Sequence, residues 1–173
     1  MMKQLKWFER TFQFGLPAGM LPFYLERLRG TEHRMKAKVA GIDDKRLSEK
    51  WEGKWSVKQN IGHLAEVDEI ALRRIDEMIS RAPQLSPAVF EPRLDYNALP
   101  VQEVIEFFVA NRTKNLLAYQ QLTEVELGMA SLHPRLKVMM TPVDLAYFDA
   151  EHDDHHLVRI NDILRGLDAQ VMK

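Results

Sequence analysis

The chain has 173 residues, 46% hydrophobic and 28% charged, with 24 Lys and Arg against 25 Asp and Glu and a formal net charge of −1. That length fits one domain with a real core and excludes disorder as a description of the whole, and so neutral a balance gives no electrostatic reason to expect nucleic acid or an anionic membrane as partner. The absence of cysteine excludes disulfides, thiolate zinc sites, iron–sulfur clusters and an internal thiol nucleophile.

Residues 1–19 mix Lys3, Lys6, Glu9 and Arg10 with aromatic side chains. They lack the continuous apolar segment of a signal peptide, and no stretch approaches the roughly 20 apolar residues needed to span a bilayer. A cytoplasmic protein is expected. A short helix or turn is expected within residues 5–14. A first long helix is expected from residue 17 or 21 to 40, with Leu21, Leu25, Leu28, Met35 and Val39 on one stripe. A second opens at Ser56, a good N-cap whose capping box Gln59 completes, and runs to about residue 81. Its core stripe is Val57, Ile61, Leu64, Ala71 and Ile75. A third is expected over residues 101–122, with Val104, Ile105, Phe108, Leu116 and Tyr119 inward. The fourth starts at Thr141-Pro142, a cap followed by proline at the first helical position, and continues to about residue 164, with Gly166 near its end.

Four helices of this length predict an all-α four-helix bundle. The link between the second and third holds Pro83, Pro87, Pro92 and Pro100 and is too long for a tight turn. It predicts a crossover, with those two helices running parallel.

The chemistry concentrates in histidine. His152, His155 and His156 crowd the fourth helix, where a 100° advance per residue places Leu145, Phe148, His152, His156, Ile160, Ile163 and Leu167 on one face. His155 falls on its edge. An i, i+4 pair points two imidazoles the same way, as one helix does when it gives two nitrogens to a metal. The spacing alone is a weak motif, and a hydrogen-bonded core pair, for instance with Asp68 or Tyr96, explains it as well. Two imidazoles amid a core face nonetheless need partners. His63, toward one side of the second helix, is the candidate third ligand, although a flank or surface histidine is the simpler description of it alone. Gly62 beside it weakens the helix by about 1 kcal/mol relative to alanine, which the close approach of another helix would explain. Asp68 and Asp149 are candidates to orient an imidazole or supply a fourth ligand, with a solvated or salt-bridged carboxylate the plainer expectation for each. Glu151, Asp153 and Asp154 read as a solvated face. His33 and His133 receive no function. A ferritin-like di-iron site is excluded because no Glu-x-x-His occurs, and there is no His-Glu-x-x-His, Gly-x-Ser-x-Gly or phosphate-binding glycine loop.

Lys54-Trp55-Ser56-Val57-Lys58-Gln59-Asn60-Ile61-Gly62-His63-Leu64 resembles the Trp-Ser/Thr-x-x-Glu/Gln-x-x-x-His-Leu segment of the DinB/YfiT-like superfamily. Thr141-Pro142-Val143-Asp144-Leu145, through His152-Asp153-Asp154-His155-His156-Leu157-Val158-Arg159-Ile160, resembles its last helix, and His133-Pro134-Arg135-Leu136 is similar to a loop common in that family. The resemblance spans the order of elements along the chain. It implies a single DinB-like helical-bundle domain over residues 1–173, with 1–16 as an N-terminal extension. The implied topology is up-down-down-up and the implied assembly a homodimer. It implies a divalent metal, zinc or nickel, held by three histidines that correspond here to His63, His152 and His156.

Three neutral imidazoles leave coordination positions open, the pattern of a catalytic site. The resulting expectation is a metal-dependent enzyme acting on a small-molecule substrate, either an S-transferase using a low-molecular-weight thiol such as bacillithiol or mycothiol, or a hydrolase. Without cysteine, any thiolate must arrive on a cosubstrate. The alternative is a non-catalytic bundle that binds a ligand or partner, with a structural or vestigial histidine cluster. No further catalytic side chain is assigned.

Overall fold

The computed structural model describes residues 4–88 and 91–171. Its helices are α1 (Leu21–Val39), α2 (Asp44–Ser48), α3 (Val57–Ile79), α4 (Val101–Gln121), α5 (Glu124–Leu127) and α6 (Pro142–Val171), and a hairpin of β1 (Ser131–Leu132) and β2 (Met139–Met140) precedes α6. The four long helices are those expected from the 3.6-residue period. Local chemistry sets their starts. Ser56 Oγ accepts from Gln59 N–H at 3.1 Å and Gln59 Oε1 accepts from Ser56 N–H at 3.0 Å, the reciprocal box that satisfies two donors at the first turn of α3. Asp144 closes the same kind of box with Thr141 at the start of α6. Its other oxygen accepts from the N–H groups of Gly15 and Leu16 at 2.8 and 2.9 Å, which pins the N-terminal segment against α6.

Two apolar clusters fill the bundle. One joins Leu21, Leu25 and Leu28 of α1 to Ala71 and Ile75 of α3, Tyr119 of α4 and Val143 of α6. The other joins Met35 and Val39 of α1 to Val57 and Ile61 of α3, Val104 of α4 and Ile160 of α6. So α1 and α6 run from the first cluster to the second, and α3 and α4 run from the second to the first. The segment between α3 and α4 has to travel back along the bundle, and its Tyr96 packs against α3 on the way.

Between the clusters lies a polar layer. Arg112 of α4 donates from Nε to Asp68 of α3 at 2.9 Å, from Nη1 to Asp153 of α6 at 2.6 Å and to the Leu28 carbonyl of α1 at 2.9 Å. Asn115 donates to Asp68 and Thr31 to Asp153. One guanidinium thus ties all four long helices. Asp68 meets its salt-bridged expectation, with burial lifting its carboxyl to about 6. Asp153 does not belong to a solvated face: it is 1% exposed, because Arg112 reaches it from another helix. Glu151 and Asp154 are half-buried under a fence of arginines, Arg27 bridging both and Arg34 meeting Asp154 at 2.6 Å.

Three local expectations change. Within residues 5–14 only Trp7–Glu9 turns, as a 3₁₀ helix. The rest is extended, because Trp7, Phe12 and Phe14 spread over Phe148 instead of aligning on one helical stripe. Gly166 does not end the fourth helix, which continues to Val171. A Cβ at Gly166 would lie 2.3 Å from the Trp51 ring, so the glycine makes room for an indole. At Gly62 the close neighbour is the ring of Tyr96, which opens the short 3₁₀ helix Tyr96–Ala98 in the α3–α4 connection and is again 2.3 Å from where a Cβ would be, and not one of the long helices. Among the described residues no helix is long and apolar enough to cross a membrane.

Candidate metal centre

His63 stands two turns into α3, and His152 and His156 stand one turn apart on α6. The packing of α3 on α6 brings the rings together, with centroids 5.2 Å apart for His63–His152, 4.9 Å for His63–His156 and 4.5 Å for His152–His156. One nitrogen from each lies within 4.8 Å of the other two. His63 and His156 are buried and His152 is half-buried, so none is the surface histidine that position alone allows for His63.

The tautomer of His156 follows from its neighbours. Asn60 Nδ2 donates to the Ser56 carbonyl at 2.7 Å, which turns Asn60 Oδ1 toward the ring at 2.7 Å from His156 Nδ1. An amide oxygen only accepts, so Nδ1 carries the proton and Nε2 is left with a bare lone pair. That Nε2 lies 3.2 Å from His152 Nε2. Two nitrogens bonded tetrahedrally to one zinc-sized ion sit about 3.3 Å apart, given bonds near 2.0 Å. The buried Nδ1 atoms of His63 and His152 have no hydrogen-bond partner among the described residues. A converging, partly orphaned set of imidazole nitrogens fits a divalent ion of the zinc or nickel type.

Electrostatics keep these rings in the form a metal needs. Burial, aided by His155, pulls His63 down to about 4. Burial and the neighbouring rings hold His152 and His156 well below the usual histidine range. Trp55 packs on His63 and lies parallel to His156, while the Trp7 ring meets His152 edge-on. The indoles cover the rings from two sides. His155 touches His156 and Trp7 but stands outside the converging group.

Asp149, one turn before His152, is 4% exposed and forms no ion pair among the described residues, contrary to its plainer expectation. It is not in the converging group either. Its Oδ2 is buried without a hydrogen-bond partner, and burial, with Asp68 adding to it, lifts the carboxyl to about 8. It faces a cavity of about 290 Å³ whose wall includes His63, His152, Arg74 and His133.

Two positions beside the cluster and its cavity carry no role in the sequence analysis. Asn60 lies three residues before His63, and such pairs share a helix face, so a polar residue there was the available signal. His133 is 3% exposed and lines the cavity. It sits in a loop, where no periodicity speaks for it.

The family profile described as the DinB superfamily matches residues 27–160. The structure is similar to that described as "YfiT from Bacillus subtilis is a probable metal-dependent hydrolase with an unusual four-helix bundle topology", at a TM-score of 0.78 and 16% identity, covering 92% of this chain and 94% of that one. It is also similar to the mycothiol-dependent maleylpyruvate isomerase, at a TM-score of 0.65 and 14% identity, covering 85% of this chain and 62% of that one. The chain thus spans less than two thirds of the isomerase. No curated protein sequence matches the chain significantly.

Proposed function

The chain belongs to the DinB superfamily, and from its histidine cluster we propose a metal-dependent enzyme, with His63, His152 and His156 as the ligands of one divalent ion, zinc or nickel. The observation that carries this reading is the convergence of the three nitrogens within 4.8 Å beside a cavity. Such an ion supplies Lewis-acid chemistry, acidifying water or a thiol or polarising a carbonyl. The chain's own groups do the rest. Asn60 holds His156 in the tautomer that presents Nε2. Trp7 and Trp55 shield the rings from bulk water, and the cavity receives a small substrate.

The reaction we propose is transfer to or from a low-molecular-weight thiol, or hydrolysis. Mycothiol dependence in one structural neighbour and the hydrolase description of the other support these two classes. The chain has no cysteine, so a thiol would enter as cosubstrate. We further propose a cytoplasmic homodimer. Elemental analysis of untagged protein tests the reading. About one divalent ion per chain, lost in His152→Ala, is expected. A metal-free protein whose melting ignores chelator would return the cluster to a structural role.

A further inference from the structure

The cavity beside the histidines has two unlike ends. Along α3, His63, Val67, Ile70, Ala71 and Arg74 all border it. Their spacing of four, seven, eight and eleven residues keeps them on one helical face. The face is therefore polar at each end and apolar between. By helical rise the Cα atoms of His63 and Arg74 stand about 16 Å apart, and a helical side chain leans toward the N-terminus, which brings the guanidinium back over the apolar floor. Phe148 of α6 forms part of the facing wall.

Arg74 is 4% exposed, yet it has no ion pair among the described residues. Its Nε and Nη2 donate to the Ser86 carbonyl at 3.1 and 2.9 Å, and among the described residues no acceptor takes Nη1. Glu77, the nearby acid on its own helix, is engaged by the N–H and hydroxyl of Ser86. Asp149 borders the same space from α6 without bonding to it. Asp149 and Glu77 act on Arg74 only through space, and a buried cation without a bonded anion is costly. His133 stands nearby. Its Nδ1 accepts from Leu136 N–H at 3.1 Å, so in the neutral ring the proton is on Nε2, a donor. Arg135, at the cavity's border, stacks on Phe8 and brings a second positive charge. The polar groups at this end are mostly donors.

We propose that the cavity binds an elongated small-molecule carboxylate: Arg74 holds the carboxylate, with His133 donating beside it, the apolar floor takes the body, and the far end lies against His63 and His152. The last part rests on the metal-centre reading; the carboxylate subsite does not. A single negative charge matches the single buried guanidinium, whose planar fork suits a carboxylate.

Calorimetric titration with octanoate and with the neutral isostere octanamide tests this, on chelator-stripped and on zinc-loaded protein. Octanoate is expected to bind both forms about tenfold to a hundredfold more tightly than octanamide, the range of a charge-assisted hydrogen bond. Arg74→Gln is expected to erase that preference and leave zinc binding unchanged, while Arg74→Lys keeps part of it. Should Arg74→Gln fail to give a cooperative melt, the octanoate–octanamide ratio of the wild type and Arg74→Lys still decide. Equal binding of the two probes, no binding of either, or a preference that survives Arg74→Gln but vanishes in His152→Ala overturns the proposal. The last outcome would put the carboxylate at the histidines. A protein that discriminates octanoate but takes no zinc keeps this subsite and loses the proposed function; one that takes zinc without discrimination does the reverse.

Discussion

Asn60 Oδ1 and His156 Nδ1 meet at 2.7 Å across the α3–α6 interface. The bond does two things. It satisfies the one polar atom of His156 that faces away from the cluster, and it fixes the ring so that Nε2 points at His152. A group that orients a ligand in this way typically contributes ten- to a hundredfold to metal affinity. Asn60→Ala is therefore expected to weaken zinc binding by about that factor, measured by competition with a chromophoric chelator. Its helical content should match wild type. The loss of the buried bond should cost about 1–2 kcal/mol in denaturant unfolding.

The helices and the face bearing His152 and His156 were legible in the sequence because their signals are local. The apolar period, the Ser56–Gln59 box and an i, i+4 histidine pair are all decided within a few turns of one helix. What was not legible depends on partners distant in the chain. Asp153 lies between residues that do face solvent-accessible arginines, and only the arrival of Arg112 from α4 makes it a core residue. Gly166 has the look of a helix end, and only the Trp51 ring reveals it as a packing position. His133 belongs to a loop whose placement is set by the β1–β2 hairpin and its bonds to the α3–α4 connection, Leu85 N–H to Leu132 carbonyl at 3.0 Å among them.

The Arg112 hub should be costly to break from one side. Arg112→Met leaves Asp68 and Asp153 buried without their cation, a change of about 3–5 kcal/mol in denaturant unfolding. Asp68 is already lifted to about 6 by burial, so the variant should recover part of that loss as pH falls toward 5, where the freed Asp68 carboxyl takes up a proton. A variant as stable as wild type at neutral pH would show that the layer contributes little.

Stability against pH separates the histidines from Asp149. His63 and His133 are pulled down to about 4, both chiefly by burial. Between about 4 and the ordinary 6.5 the unfolded chain binds protons there that the folded chain does not, so metal-free protein should lose stability as pH falls through that window. Asp149 works the other way. Its carboxyl, lifted to about 8, stays protonated in the fold where the unfolded chain has released the proton. Its contribution thus falls as pH rises from the ordinary 3.8 to about 8, and it should show as a net decline above about 6.5, where the histidines no longer oppose it. Asp149→Asn should flatten that upper decline and, by removing a group that opposes the histidines at lower pH, steepen the loss on the acid side, as followed by thermal melts of chelator-treated protein across the range.

Gly62 reverses a common rule. Alanine in place of glycine within a helix ordinarily stabilises by about 1 kcal/mol. Here the new methyl would sit 2.3 Å from the Tyr96 ring, and Tyr96 cannot readily yield. It is fully buried, and its hydroxyl donates to Glu66 at 2.6 Å. Glu66 in turn accepts from Arg93 N–H at 2.8 Å, so displacing the ring disturbs the whole start of the α4 approach. Overpacking of this kind costs about 1–3 kcal/mol. Gly62→Ala is expected to destabilise by that amount, and pairing it with Tyr96→Ala should recover less than Tyr96→Ala alone costs. Because His63 follows directly, the single variant should also shift the His63 ring and weaken zinc binding. Stabilisation by Gly62→Ala would mean that Tyr96 does not lie against α3, and with it the path of the crossover along this face would have to be redrawn.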